Sequence, residues 1–277
     1  MRKVLIAATT AASFTAILVS NSHAATHGDA SMQTAASADP ISGTWKADIN
    51  SLQVDSKPDE YLLQHGAYTC KSCAPSYSVP ADGAFHAVSL PYVDSDSVKV
   101  VDEHTITETS KKSGREVGIL TMTISADGKT LSGKYTDETA PAAPSTGEFT
   151  ENRVGAAPSG AHSISGLWKL ARLSNLNDTA LTVTLNVTGD TYEASSPNGT
   201  SFEAKIGGGD VPIKGDIAGT TASIRKIGNN SYEESRKRGG KVVSVMTLTV
   251  GADGRLKGEN QEKLTGITTR WTADKQP

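Results

Sequence analysis

The segment HGAYTCKSCAPSY holds the only two cysteines of the chain, Cys70 and Cys73. A Cys-x-x-Cys pair can anchor haem, ligate zinc, exchange disulfides or close a structural bridge. Haem attachment requires a histidine directly after the second cysteine to supply the axial ligand, and Ala74 stands there. A closed zinc site needs four ligands, and the nearest histidines, His65 and His86, sit at spacings that form no standard half-site. A redox dithiol places its first cysteine at a helix N-terminus, whose dipole lowers the thiol pKa. Here Pro75 follows the pair and no helical pattern lies beyond it. The favoured reading is a structural disulfide, with redox exchange its main competitor. Geometry then demands a turn. Three residues of extended chain span about 10 Å, whereas bridged cysteines hold their Cα atoms about 4.4–6.8 Å apart. Lys71 and Ser72 must therefore form a loop tip, and a ring this short limits the stabilisation to about 2 kcal/mol.

Other constellations carry less. The sequence has no Gly-x-Ser-x-Gly elbow, phosphate-cradling loop or His-Glu-x-x-His. Gly207–Asp210 reads as a hairpin tip, as does the basic stretch ESRKRGGK. The acids Asp94, Asp96, Asp102 and Glu103 lack the ligand pattern of a calcium loop, and His104 reads as structural. No catalytic residue, metal ligand or cofactor site is assigned, and no cofactor is expected.

Arg2 and Lys3 precede an apolar run from Val4 to Val19, which ends in Ser-His-Ala. Residues 1–24 are therefore expected to be a secretory signal peptide. Residues 25–39 read as a flexible lead-in. No later segment approaches the length of a membrane-spanning helix. Export to the periplasm or the exterior places the two thiols in an oxidising compartment, which favours the bridge. The net charge of −3, with both signs interspersed, gives no electrostatic case for binding nucleic acid or an anionic membrane. Nothing in the sequence sets the oligomeric state.

The positioning elements come in two sets. ISGTWKAD (Ile41 to Asp48) returns as ISGLWKLA (Ile164 to Ala171). TETSKKSGREVGILTMTISADGKTLSGK returns as EESRKRGGKVVSVMTLTVGADGRLKGE, and Phe149 falls opposite Trp271. A period of about 120 residues is too long for a solenoid repeat, so each copy is expected to be a domain: 40–153 and 164–277. VGAAPSGAHS, residues 154–163, reads as the linker. Within a copy, apolar residues alternate with Thr and Ser, and Ser-Gly, Asp-Gly and Gly-Gly punctuate the runs. That is an antiparallel meander with short hairpins. Such a sheet covers its apolar face by closing into a barrel or folding into a sandwich. The expected fold is all-β: two tandem meander β-barrels, or alternatively two small β-sandwiches.

Gly43-Thr44-Trp45 and Gly166-Leu167-Trp168 resemble the opening of the lipocalin (calycin) fold. In that family a Gly-x-Trp on the first strand packs under a basic residue from the last strand. The resemblance implies that role for Arg270 in the second copy, while Glu148 stands opposite it in the first. With its GTWK opening, YTCKSC segment and SADGKT hairpin, the chain also resembles a family of uncharacterised exported bacterial proteins with tandem lipocalin-like domains. The function expected is binding of a small apolar or amphipathic ligand. The alternative is an envelope interaction protein with filled barrels, and a redox or hydrolytic enzyme ranks third.

Overall fold

The computed structural model describes residues 39–277. Residues 1–24, expected to be a signal peptide, and most of the expected lead-in lie outside the described residues. The chain begins with β1 (Gly43–Ala47) and β2 (Gln53–Asp55). Ten strands follow: β3 (Asp59–Gln64), β4 (Ala67–Cys70), β5 (Tyr77–Pro80), β6 (His86–Leu90), β7 (Val93–Val100), β8 (Thr105–Lys112), β9 (Arg115–Ile124), β10 (Thr130–Asp137), β11 (Ser145–Gly155) and β12 (Gly166–Ser174). After one helical turn, α1 (Asp178–Leu181), come β13 (Thr182–Thr188), β14 (Thr191–Ser195), β15 (Ser201–Lys205), β16 (Val211–Pro212), β17 (Thr221–Gly228), β18 (Ser231–Arg238), β19 (Lys241–Val250), β20 (Leu256–Glu262) and β21 (Thr268–Lys275).

The alternation read from the sequence is the alternation of the strands. In β9, Leu120, Met122 and Ile124 are buried while Ile119 and Thr123 face out, and β19 repeats this with Met246, Leu248 and Val250 inside. The hairpins turn where positive φ is available: Ser113 and Gly114 stand at 51° and 78°, and Gly239 and Gly240 at 54° and 75°. Two consecutive left-handed residues match the right-handed twist of the flanking strands. Gly133 and Gly258 serve another purpose. Each faces an aromatic ring across the ladder, Phe149 and Trp271, and a Cβ on either glycine would collide with that ring.

Two antiparallel sheets result, each curled into a nearly closed barrel. One has the order β5-β4-β3-β12-β11-β10-β9-β8-β7-β6. The other runs β15-β14-β13-β1-β21-β20-β19-β18-β17-β16, with β2 also beside β21. The barrels therefore do not coincide with the contiguous halves 40–153 and 164–277. The opening strand of each copy completes the other copy's barrel. β1 pairs with β13 and β21, and β12 pairs with β11 and β3. One barrel is continuous over 59–174, and the other is assembled from 43–55 and 182–275. The physical reason is local. β12 follows β11 after a short connection, so the two close as an antiparallel hairpin with little loop entropy to offset.

The same arrangement corrects two smaller expectations. Residues 154–163 are no interdomain linker but the connection of that hairpin. Its His162 amide donates to the Leu63 carbonyl (2.9 Å), and the Ser163 hydroxyl donates to the Glu103 carbonyl (2.5 Å). Asp39, placed in the lead-in, is anchored, accepting from Tyr232 Oη (2.5 Å) and Lys226 Nζ (3.0 Å).

Each barrel is plugged at one end by a tryptophan under a cation. Trp168 lies beneath Arg153 at 4.0 Å, and Trp45 beneath Lys275 at 5.5 Å. Both indoles donate to a backbone carbonyl four residues earlier, Ile164 and Ile41, at 2.8 Å. Arg153 also donates to the carbonyls of Gly128, Ser163 and Ser165. Arg270 is not the covering cation. Its side chain faces outward and pairs with Glu259 at 2.7 Å. The cations come instead from Arg153 in β11 and Lys275 in β21, the strands that flank the exchanged tryptophans.

Above the plugs both interiors are packed. Leu120, Met122, Leu131, Tyr135 and Phe149 fill one, and Leu185, Tyr192, Phe202, Tyr232 and Leu248 fill the other.

Candidate site where the barrel mouths meet

The ends opposite the tryptophans face one another. Going up β8, the inward row runs Ile106, Glu108, Ser110, and in β18 it runs Tyr232, Glu234, Arg236. These are matched positions, since Glu108 pairs with Leu120 and Glu234 with Met246 in the same ladder geometry. At the rim, Asp137 pairs with Gly118 and Glu262 with Ser244. Between the rims lies a cavity of about 180 Å³. Matched pairs line it from both sides: Ser110 and Arg236, Val117 and Val243, Asp137 and Glu262. Val93, Ile213 and Ile217 add apolar wall, and the exposed Leu264 stands at its edge.

The disulfide lies at this rim. Cys70 and Cys73 are bonded with Cα atoms 5.5 Å apart, as the turn argument requires. Lys71 and Ser72 form the tip, and Ser72 Oγ donates to Asp59 Oδ1 (2.8 Å). Cys73 and Ala74 then line the cavity opposite Asn198 and Thr200, which belong to the matching, unbridged loop. Because the ring closed is so small, replacing both cysteines by serine should lower stability by about 2 kcal/mol in urea denaturation and leave both barrels folded. Loss of either barrel in the circular dichroism spectrum would refute the assignment of a local clamp.

The two barrels differ below the rim. In the assembled barrel, Arg236 meets the buried Glu234 at 2.5 Å. Burial works against the guanidinium's charge, but Glu234 outweighs it and holds the pKa above the usual value. In the continuous barrel, serine takes the arginine's place and a second acid appears. Asp96 and Glu108 are both buried, and Tyr77 Oη lies 2.9 Å from Asp96 Oδ2 and 3.0 Å from Glu108 Oε1. A phenol has one proton to donate, so satisfying both contacts requires a proton on one of the acids. Ser110 Oγ donates to Asp96 Oδ1 at 2.7 Å. Burial first, and Glu108 second, push the Asp96 carboxyl up to about 7.

At the rim itself, burial raises the pKa of Asp137, against an opposing hydrogen bond from the Thr139 amide (2.8 Å). Burial likewise raises Glu262, with Asn260, Arg236 and Arg238 acting the other way. Arg238 stacks on Tyr92 at 4.8 Å and donates to its hydroxyl at 2.8 Å, a contact that joins the two barrels.

The other residues singled out from sequence lie elsewhere. His86 Nε2 contacts Asp82 (2.9 Å), and Asp94 accepts from the Ser113 amide (2.8 Å). Asp102 accepts from the His104 amide (2.8 Å), His104 Nε2 meets Glu103 at 3.2 Å, and His65 stands at a hairpin tip. Asp210 pairs with Lys237 (2.8 Å), tying the Gly207–Asp210 tip to the basic hairpin. Among the described residues, no group of three or more His, Cys, Asp or Glu side chains is placed to hold a metal ion.

Sequence reading missed Asp137, Glu262, Arg238 and the role of Asp96. A signal was present: when the two copies are superposed, Ser110 stands against Arg236, a change of charge on an inward position.

No family model, curated protein or solved structure matches this chain. The functional reading therefore rests on the cavity and its chemistry.

Proposed function

We propose that this is an exported small-molecule-binding protein whose site is the cavity between the two barrel mouths. The observation that carries the reading is that cavity: about 180 Å³, walled by valine and isoleucine and edged by the buried Asp137 and half-buried charged groups. Sites for small ligands combine these features, a mostly apolar hollow with a few polar groups that fix orientation. The size is informative. A dry engineered cavity of about 150 Å³ admits benzene, so the occupant here is an amphipathic molecule of about one ring. The packed interiors speak against a ligand held inside either barrel and favour the interaction-protein alternative on that point. The leader and the bridged cysteines support export.

The test is a thermal-shift and calorimetric screen of the full chain against single-ring aromatic amines, alcohols and acids. At a concentration 100-fold above its dissociation constant, a ligand stabilises by about 2.7 kcal/mol, which raises Tm measurably. Val117→Phe and Val243→Phe each fill the cavity and should abolish the shift. If no compound shifts Tm at millimolar concentration, or if the filled variants respond like the parent, this site assignment falls.

A further inference from the structure

We propose that the cavity between the mouths takes a small organic cation: an ammonium group carried on an apolar body of about one ring. This deepens the binding reading above and rests on it.

Among the described residues, two cationic side chains line the cavity, Arg236 and Arg238. Arg236 is already engaged by Glu234 at 2.5 Å from within its own barrel. Arg238 sits over the Tyr92 ring at 4.8 Å and directs Nη2 to the hydroxyls of Tyr92 (2.8 Å) and Thr220 (3.3 Å). Against these stand three carboxyls on the wall, Asp137, Asp216 and Glu262. Asp96 stands beside Ser110 in the ladder and Glu108 one layer further in, and both share Tyr77 as a hydrogen-bond partner. The three wall carboxyls therefore outnumber the two arginines, and both arginines are already engaged.

The hydrogen bonds of the wall carboxyls are incomplete as well. Asp137 takes the amide and side chain of Thr139, and Asp216 takes the amides of Ala218 and Thr220 and the Tyr92 side chain. An ionised carboxylate offers about four lone-pair sites, so each retains acceptors for an incoming N–H. Burial raises the pKa of Asp137 and of Glu262, the latter against the opposing charges of Arg236 and Arg238, so each carboxyl gains from an incoming cation. One feature points the other way. Arg238 Nε is buried without a hydrogen-bond partner. A single free donor can hold a hydroxyl of the ligand, but a carboxylate there would meet three carboxyls in a partly dehydrated space, where like charges repel strongly. Apolar walls from Val117, Val243 and Ile217 exclude an inorganic cation with its hydration shell and fit a hydrocarbon body.

The test uses three molecules of one shape, titrated calorimetrically into the full chain at pH 8: benzylamine, benzyl alcohol and benzoate. Benzylamine should bind at least about tenfold tighter than benzyl alcohol, the scale of a charge-assisted hydrogen bond over a neutral one. Benzoate should bind weakest. Asp137→Asn and Glu262→Gln are near-isosteric and each removes a wall carboxyl without opening space, and each should cut the preference for benzylamine to about threefold or less. Equal or tighter binding of benzoate, or a preference untouched by both substitutions, would overturn the proposal. Binding of benzyl alcohol as strong as that of benzylamine would do the same while leaving the binding site in place. Failure of all three to bind would overturn the site assignment together with the cation.

Discussion

Replacing Trp45 with alanine should loosen the barrel built from residues 182–275, and leave intact the barrel that follows it directly in sequence. Trp168→Ala should do the converse, striking the barrel of residues 59–174. Each indole is almost wholly buried, at 1% and 0% exposure, with its N–H bonded to a carbonyl and a cation above its face. Removing such a side chain leaves a cavity and an orphaned carbonyl, and costs about 3–5 kcal/mol. That is a large share of the 5–15 kcal/mol that typically holds a domain together. Hydrogen exchange followed by mass spectrometry separates the outcomes. Trp45→Ala should deprotect peptides of β19, β20 and β21 first, and Trp168→Ala those of β9, β10 and β11. Deprotection of residues 59–153 by Trp45→Ala would mean that the strands are not exchanged in solution.

Much of this architecture was legible in the residues. Period-two alternation in VGILTMTIS and VVSVMTLTV fixes which side chains face inward, and the Ser-Gly and Gly-Gly pairs fix where the chain reverses. The bridging of Cys70 and Cys73 followed from composition, compartment and the geometry of a short loop. Strand partnership was not legible. Gly-x-Trp opens both copies, so either tryptophan suits either barrel, and the alternation does not say which first strand joins which sheet. β12 lies next to β11 in sequence and is captured by it, which leaves β1 to complete the other barrel. The plugging cations were hidden for the same reason. Arg153 and Lys275 gain that role only beside the exchanged first strands, while Arg270, the residue the lipocalin resemblance implied, points to solvent.

The site was less legible still, because it is shared. Asp137 and Glu262 lie far apart in sequence and gain significance only when two mouths abut. Within one copy each is an ordinary polar residue near a strand end. The cavity is assembled from rims that the Trp plugs leave free. The strand exchange links the barrels through residues 56–58 and 175–181, two connections in place of one. Two tethers restrain how far the mouths can separate, which suits a binding space built from both.

The second large effect is on pH. The stability of the full chain should fall as pH rises from about 4 to about 7, and Asp96→Asn should abolish most of that fall. Asp96 faces Glu108 and Ser110 on β8, Tyr77 on β5 and, in register on β6, His86. Burial and Glu108 raise its carboxyl from the ordinary value near 4 to about 7. Between those limits the folded chain holds a proton that the unfolded chain has released. The folded state therefore binds more protons, and stability declines with rising pH across that window. About three pH units of difference correspond to roughly 4 kcal/mol at most, reduced where Tyr77 and Ser110 relax. Asparagine keeps the shape and can accept from Ser110 without a charge. At pH 8, Asp96→Asn should therefore be more stable than the parent by roughly 2–4 kcal/mol, and the two should converge near pH 4. The matched position in the other barrel is Ala222, and Glu234 there is met by Arg236, so Asp96→Asn should leave that barrel's exchange protection unchanged. Urea denaturation from pH 4 to pH 8 measures the slope. A parent chain that gains stability over this range, or an Asp96→Asn variant with an unaltered slope, would show that the shared proton is not there.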